Sequence, residues 1–137
     1  MEPDPIRVAN TRQWLSLATE DLSNAGHDLE ASPPFLRSAL FHCQQSAEKA
    51  LKAFLTWHDV PFRKVHELEE LGAQCRQVDF TLAPFVENAE PLTKYASRFR
   101  YPGAPYELSL EEGKTALARA GEALNAVLDR LPSQVRP

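Results

Sequence analysis

Residues 94–103 read KYASRFRYPG and gather three cations, Lys94, Arg98 and Arg100, with two tyrosines, Tyr95 and Tyr101. An arginine side chain presents a planar fork that matches phosphate oxygens bidentately. A tyrosine ring offers a face on which a nucleobase stacks. Cations at the end of a helix also offset the helix dipole without any ligand, so the cluster has a local as well as a functional reading. Tyr95 and Phe99, four residues apart, fit a core-facing pair better than a cofactor box.

Four histidines and two cysteines complete the set of groups able to do chemistry. His66 stands in KVHELEEL, where a residue opening a helix belongs, and either makes a local packing contact or hydrogen-bonds a ligand or partner. His42 is expected to be structural or exposed. Lys49 and Lys52, in the block AEKALKA, are expected on a solvated or interface face, with anion contact as the lesser role. Cys43 and Cys75 fall on apolar stripes and are expected to be buried thiols that behave as small hydrophobes.

Several chemistries are excluded by pattern. No glutamate has a histidine three residues later, as a di-metal carboxylate bundle requires. His42 and Cys43 are adjacent, hence about 100° apart on a helix, and form no zinc pair. There is no phosphate-binding glycine loop and no G-x-S-x-G elbow. No catalytic residue, metal ligand or cofactor is assigned.

The elements that must position these groups are helices. With 137 residues, 43% hydrophobic and 25% charged, the chain has the composition of one globular domain. Its net charge of −4 argues against a general nucleic-acid binder, although 94–104 contains three cations and no acid. The start, MEPDPIRVAN, does not read as a secretory signal, and no apolar run is long enough to span a bilayer. A cytoplasmic location is expected, with no membrane partner.

Five helical stretches are predicted. The first, 9–30, has apolar residues at Leu15, Ala18, Leu22, Ala25 and Leu29. The second, 34–57, carries Leu36, Leu40, Cys43, Ala47, Ala50, Phe54 and Trp57. Its opposite, polar face is defined by Arg37, Gln44, Glu48 and Lys52. A loop at 58–65 contains Pro61, and a short third helix follows at 67–77. The fourth, 82–100, must kink or split at Pro91, and the turn YPGAPYE follows. The fifth opens with a capping box, Ser109 and Glu112, and runs to Leu131. The core is thus expected over 9–131, with the tail 132–137 frayed.

The blocks WLSLATEDL, ALFHCQQSAEKALKAFL, KVHELEEL and RYPG, in this order and spacing, resemble the HEPN family, and together they cover nearly the whole chain. The resemblance implies an all-α, five-helix up-and-down antiparallel bundle. It also implies a homodimer with the fourth-helix region near a shared cleft. Its implied partners are a minimal nucleotidyltransferase encoded nearby, as in toxin–antitoxin pairs, or a nucleotide or RNA.

Ribonuclease members of that family carry an arginine and a histidine with four to six residues between them. From Arg98 the required positions hold Gly103, Ala104 and Pro105; from Arg100 they hold Pro105, Tyr106 and Glu107. His66 is the last histidine in the chain. The expected function is therefore a non-catalytic binding module using Arg98, Arg100, Tyr101, Lys94, Lys49, Lys52 and His66. The alternatives are a ribonuclease toxin with another base, such as His66 or Tyr106, and a purely structural dimer.

Overall fold

The computed structural model describes residues 2–97 and 107–137. Among the described residues there are five α-helices, α1 (Pro5–Glu30), α2 (Leu36–Trp57), α3 (Leu68–Val78), α4 (Ala83–Ala89) and α5 (Leu110–Asp129). Three 3₁₀ turns, Phe80–Leu82, Glu90–Ala96 and Ser133–Val135, extend or join them, and the described residues contain no strand.

Helix α1 begins four residues earlier than its apolar stripe suggests. Asp4 caps it by accepting from the Ile6 amide at 2.9 Å, and Pro5 occupies the first turn, where its missing N–H costs nothing. Helix α1 packs antiparallel to α2: Asp28 meets Ser38, Asp21 meets His42 and Lys49, Ala18 meets Ser46, and Arg7 meets Trp57. Helices α1 and α5 are antiparallel as well, with Leu29 beside Gly113 and Leu22 beside Gly121. Helix α2 lies at the centre, with Leu40, Cys43, Ala47, Ala50, Leu51, Phe54 and Leu55 all buried.

Alternation of direction is interrupted between α2 and α3. Asp59 takes a left-handed conformation (φ 57°), and the Val60 amide returns to the Leu55 carbonyl at 2.9 Å, which closes the C-terminus of α2. Residues 60–66 then travel back along α2, with Phe62 beside Lys52 and His66 beside Glu48. Helix α3 consequently runs in the same direction as α2, and the Cys75 thiol reaches the Leu51 carbonyl. This return segment places His66 at the middle of α2 rather than near its end.

Proline at 91 divides the fourth stretch as expected. The α-helix ends at Ala89 and a 3₁₀ segment carries the chain to Ala96. Ser109 caps α5 by accepting from the Glu112 amide at 3.1 Å, and the Glu112 carboxylate accepts from the Tyr95 hydroxyl at 2.5 Å.

The tail departs from expectation. Residues 133–135 form a turn whose Val135 is fully buried in the core cluster. Arg12 donates to the Gln134 carbonyl, and Arg136 donates to the Leu128 carbonyl at 3.0 Å. The tail is docked on α1 and α5 rather than frayed, because Val135 adds one more apolar side chain to the groove beyond Leu131.

Candidate functional site

Gln44, Glu48 and Lys52 are spaced four apart and lie in a row on one face of α2. The sequence marks this face as the polar, outward one. In the structure it is buried, because the return segment 60–66 and Trp14 of α1 lie against it. Gln44 is fully enclosed, and the side chains of Glu48 and Lys52 are only 4% and 9% exposed. Glu48 holds the row together. Its Oε1 accepts from Gln44 Nε2 at 3.0 Å and from His66 Nδ1 at 2.8 Å, and its Oε2 accepts from Lys52 Nζ at 3.0 Å.

Burial acts to raise the Glu48 carboxyl pKa. The hydrogen bonds from Gln44, His66 and Lys52, together with the Lys52 charge, outweigh it and hold the group below the ordinary glutamate value. The ammonium of Lys52 is further screened from water by two rings, lying 5.6 Å from the centroid of Trp14 and 5.8 Å from that of Phe62. Those rings meet edge to face with centroids 6.4 Å apart.

His66 sits at the rim of this row with its side chain 55% exposed. It does not cap α3, since Glu67 is the residue at the cap position. Its carbonyl accepts from Gln44 Nε2 at 3.1 Å, so α2 fixes both its main chain and its ring. Two residues on, the Leu68 amide donates to Thr93 Oγ1 at 3.0 Å. That bond places the start of α3 against the 3₁₀ segment that carries Lys94.

Lys49 belongs to a different cluster. Its Nζ lies 2.6 Å from Asp21 Oδ2, while His42 Nδ1 lies 3.0 Å from Asp21 Oδ1, and this group ties α1 to α2. The structure therefore corrects the expected role of Lys49 and Lys52: both are neutralised by an internal carboxylate and neither forms a solvated basic face. Lys94 is exposed and extends over the Tyr95 ring at 5.2 Å. It borders a recess of about 290 Å³ that Arg119, Tyr95 and Glu112 also line. Arg98, Arg100 and Tyr101 lie outside the described residues, as does Tyr106.

Cys43 and Cys75 are both free and buried, and burial pushes each thiol up to about 12, with the Asp28 charge adding to the effect at Cys43. Among the described residues no group of three His, Cys, Asp or Glu is placed to hold a metal ion, and no helix is long and apolar enough to cross a membrane.

A family model described as HEPN domain matches residues 11–131, from the second turn of α1 to just past α5. The chain belongs to the HEPN domain family. No curated protein and no solved structure gives a match. Within this HEPN domain, the block ALFHCQQSAEKALKAFL is central helix α2, and its Gln44, Glu48 and Lys52 are the buried row. The block KVHELEEL delivers His66 onto that row and begins α3.

Sequence reasoning missed Glu48 and Gln44 as the residues that organise the site. A signal was present: Leu51 and Leu55 lie outside the chosen apolar stripe of α2, which makes the helix apolar nearly all round. A helix with that pattern is central, and its polar residues must then be buried together. Asp21 was missed for want of any comparable signal, since it is one of several acids on α1.

Proposed function

We propose that this HEPN domain is a non-catalytic binding module for the phosphates of a nucleotide or RNA, held through Lys94, Arg98, Arg100 and Tyr101. The observation that carries this reading is the sorting of the cations. Lys49 and Lys52 are each bonded to a buried acid. Lys94 is exposed, with a tyrosine ring rather than a carboxylate beneath it. The next cations in the sequence, Arg98 and Arg100, follow it within six residues with no acid between.

The absence of a histidine at the spacing used by ribonuclease members supports binding without cleavage. The homodimer and the nucleotidyltransferase partner rest on the family resemblance, and light scattering on the purified protein tests the dimer directly.

The deciding experiment titrates the protein against labelled short RNAs and scores both shift and cleavage, with Arg98→Ala/Arg100→Ala alongside. A shift without cleavage, lost in the double variant, is expected. Cleavage would overturn the non-catalytic reading. Binding that the double variant leaves unchanged would remove the site. No binding at all would leave this face to a protein partner.

A further inference from the structure

Helices α1 and α2 leave a recess of about 400 Å³ between them, lined by Asn10, Gln13, Trp14 and Leu17 of α1 and Thr56 of α2. It shares no residue with the recess that Lys94 borders. Its volume is that of a small-molecule site, about 300–1,000 Å³. Trp14 and Leu17 give it an apolar wall. Trp14 is fixed independently of any ligand, by the edge of Phe62 at 6.4 Å and the buried Lys52 ammonium at 5.6 Å. No charged residue lines the recess. The side chains of Asn10, Gln13 and Thr56 have no hydrogen-bond partner among the described residues. Each amide offers a donor and an acceptor side by side. A planar ring with a nitrogen or oxygen on its edge suits both features, its face packing on the tryptophan and its edge pairing with an amide.

Arg7 adds a charge beside this wall. It is one turn before Asn10 on α1, about 4.5 Å along the axis. Its guanidinium lies 5.4 Å from the Trp57 ring centroid, and Trp57 follows Thr56 in α2. Both helices therefore bring Arg7 to the recess. No described carboxylate pairs with it, and its Nε is buried without an acceptor. Asp4, one turn earlier, is turned to the Ile6 amide. Arg130 shows the contrast. It too lies over a ring, that of Phe85, yet it reaches Asp79, Thr81 and the Ala126 carbonyl. An enclosed guanidinium N–H without an acceptor is uncommon in a folded protein, and the oxygen of an anion satisfies it bidentately or singly.

We propose that the recess between α1 and α2 binds a small heteroaromatic anion. Its ring packs on Trp14, its edge meets the amides of Asn10 and Gln13, and its phosphate or carboxylate meets the Arg7 guanidinium. This site is additional to the Lys94 face and does not rest on the phosphate-binding reading of that face.

Trp14 and Trp57 are the two tryptophans of the chain, and both adjoin the recess, so their emission reports occupancy. The protein is titrated with adenosine monophosphate and with nicotinate, and with their uncharged counterparts adenosine and nicotinamide. Inorganic phosphate and acetate supply the anion without a ring, and calorimetry checks each affinity. Binding of at least one aromatic anion is expected, about tenfold tighter than its uncharged counterpart. Arg7→Gln should remove that tenfold preference and Arg7→Lys restore part of it. Asn10→Ala/Gln13→Ala should weaken the charged and uncharged forms alike, by about three- to tenfold. Asn10 and Gln13 are exposed, so this variant keeps its melting temperature and decides the matter even where Arg7→Gln loses stability. Lys94→Ala should change nothing.

Binding of the monophosphate assigns a nucleotide to the recess, and binding of nicotinate a heteroaromatic carboxylate; either supports the proposal. It is overturned if neither anion binds at millimolar concentration. Phosphate or acetate binding as tightly as the aromatic anions would reduce the site to a bare anion contact and overturn it. Unchanged affinities in Asn10→Ala/Gln13→Ala would overturn it as well. Loss of binding in Lys94→Ala at unchanged melting temperature would move the ligand to the other recess and overturn this proposal alone.

Discussion

Glu48→Gln is the sharpest perturbation of the buried row. The substitution keeps the shape of the side chain, removes its charge and replaces one acceptor oxygen with an NH₂ donor. In the native protein Oε1 faces two donors, Gln44 and His66, and Oε2 faces the Lys52 ammonium. Either orientation of the new amide sets a donor against a donor. Lys52 is left with no acceptor charge while remaining almost fully enclosed. Removing one partner from a buried ion pair costs about 3–5 kcal/mol. The lysine stem can carry its head part-way to water, so the lower end, about 3 kcal/mol, is expected here. That is a large share of a typical total of about 5–15 kcal/mol.

Urea unfolding followed by far-UV circular dichroism measures this effect. Glu48→Gln/Lys52→Met should be more stable than the sum of the two single variants predicts, because it leaves neither charge unpaired; the coupling should be about 1–3 kcal/mol. The pH dependence has a definite sign. Glu48 is held below the ordinary carboxylate value, so its stabilisation is fully present above about pH 4.3 and is lost as pH falls through the lowered native value. The gap between wild type and Glu48→Gln should therefore narrow on acidification below about pH 4. A Glu48→Gln cost under about 1 kcal/mol, or additivity within about 0.5 kcal/mol, would refute the buried row as a coupled unit.

Three further outcomes follow from other parts of the fold. Deleting residues 133–137 removes the buried Val135 and the bonds made by Gln134 and Arg136, and should cost about 2 kcal/mol; an unchanged urea midpoint would mean the tail contributes nothing. Gly26→Ala has open space around the new methyl and should stabilise α1 by about 0.5–1 kcal/mol. At Gly72 the new methyl would stand 3.0 Å from the stiff Val86 Cβ, so Gly72→Ala should lose about 1–2 kcal/mol; equal shifts in melting temperature for the two glycine variants would contradict this. Cys43 and Cys75, pushed up to about 12, should react with a disulfide reagent at pH 8 only as fast as the protein opens, and a rapid burst of both thiols would refute their burial.

The helices were legible in the sequence because each carries a repeating apolar stripe. Leu15, Ala18 and Ala25 on α1, and Leu40, Cys43, Ala47, Ala50 and Phe54 on α2, are buried as the period requires. Pro91 split the fourth stretch where a missing amide demanded it. What periodicity could not convey was tertiary cover. The polar face of α2 is enclosed by residues 60–66, which have no repeat of their own and are positioned by the left-handed Asp59 at the end of the helix. The docked tail was hidden for a related reason: one valine among polar and proline residues makes no pattern, yet it finishes a groove made by two distant helices.

The burial of that face changes what a lysine substitution can mean in this HEPN domain. By charge alone Lys49, Lys52 and Lys94 are equivalent candidates for an anion, and alanine at any of them would be expected to weaken binding. Their surroundings make them unequal. Lys52 balances Glu48 inside the protein and Lys49 balances Asp21 between α1 and α2, so replacing either acts first on folding and reaches a ligand only through lost structure. Lys94 carries no such internal duty among the described residues, and its charge is available at the surface. A binding defect accompanied by a lowered melting temperature therefore points to the interior row. A defect at unchanged melting temperature points to the Lys94 face, and comparing the two readings across the three lysines separates the scaffold from the site.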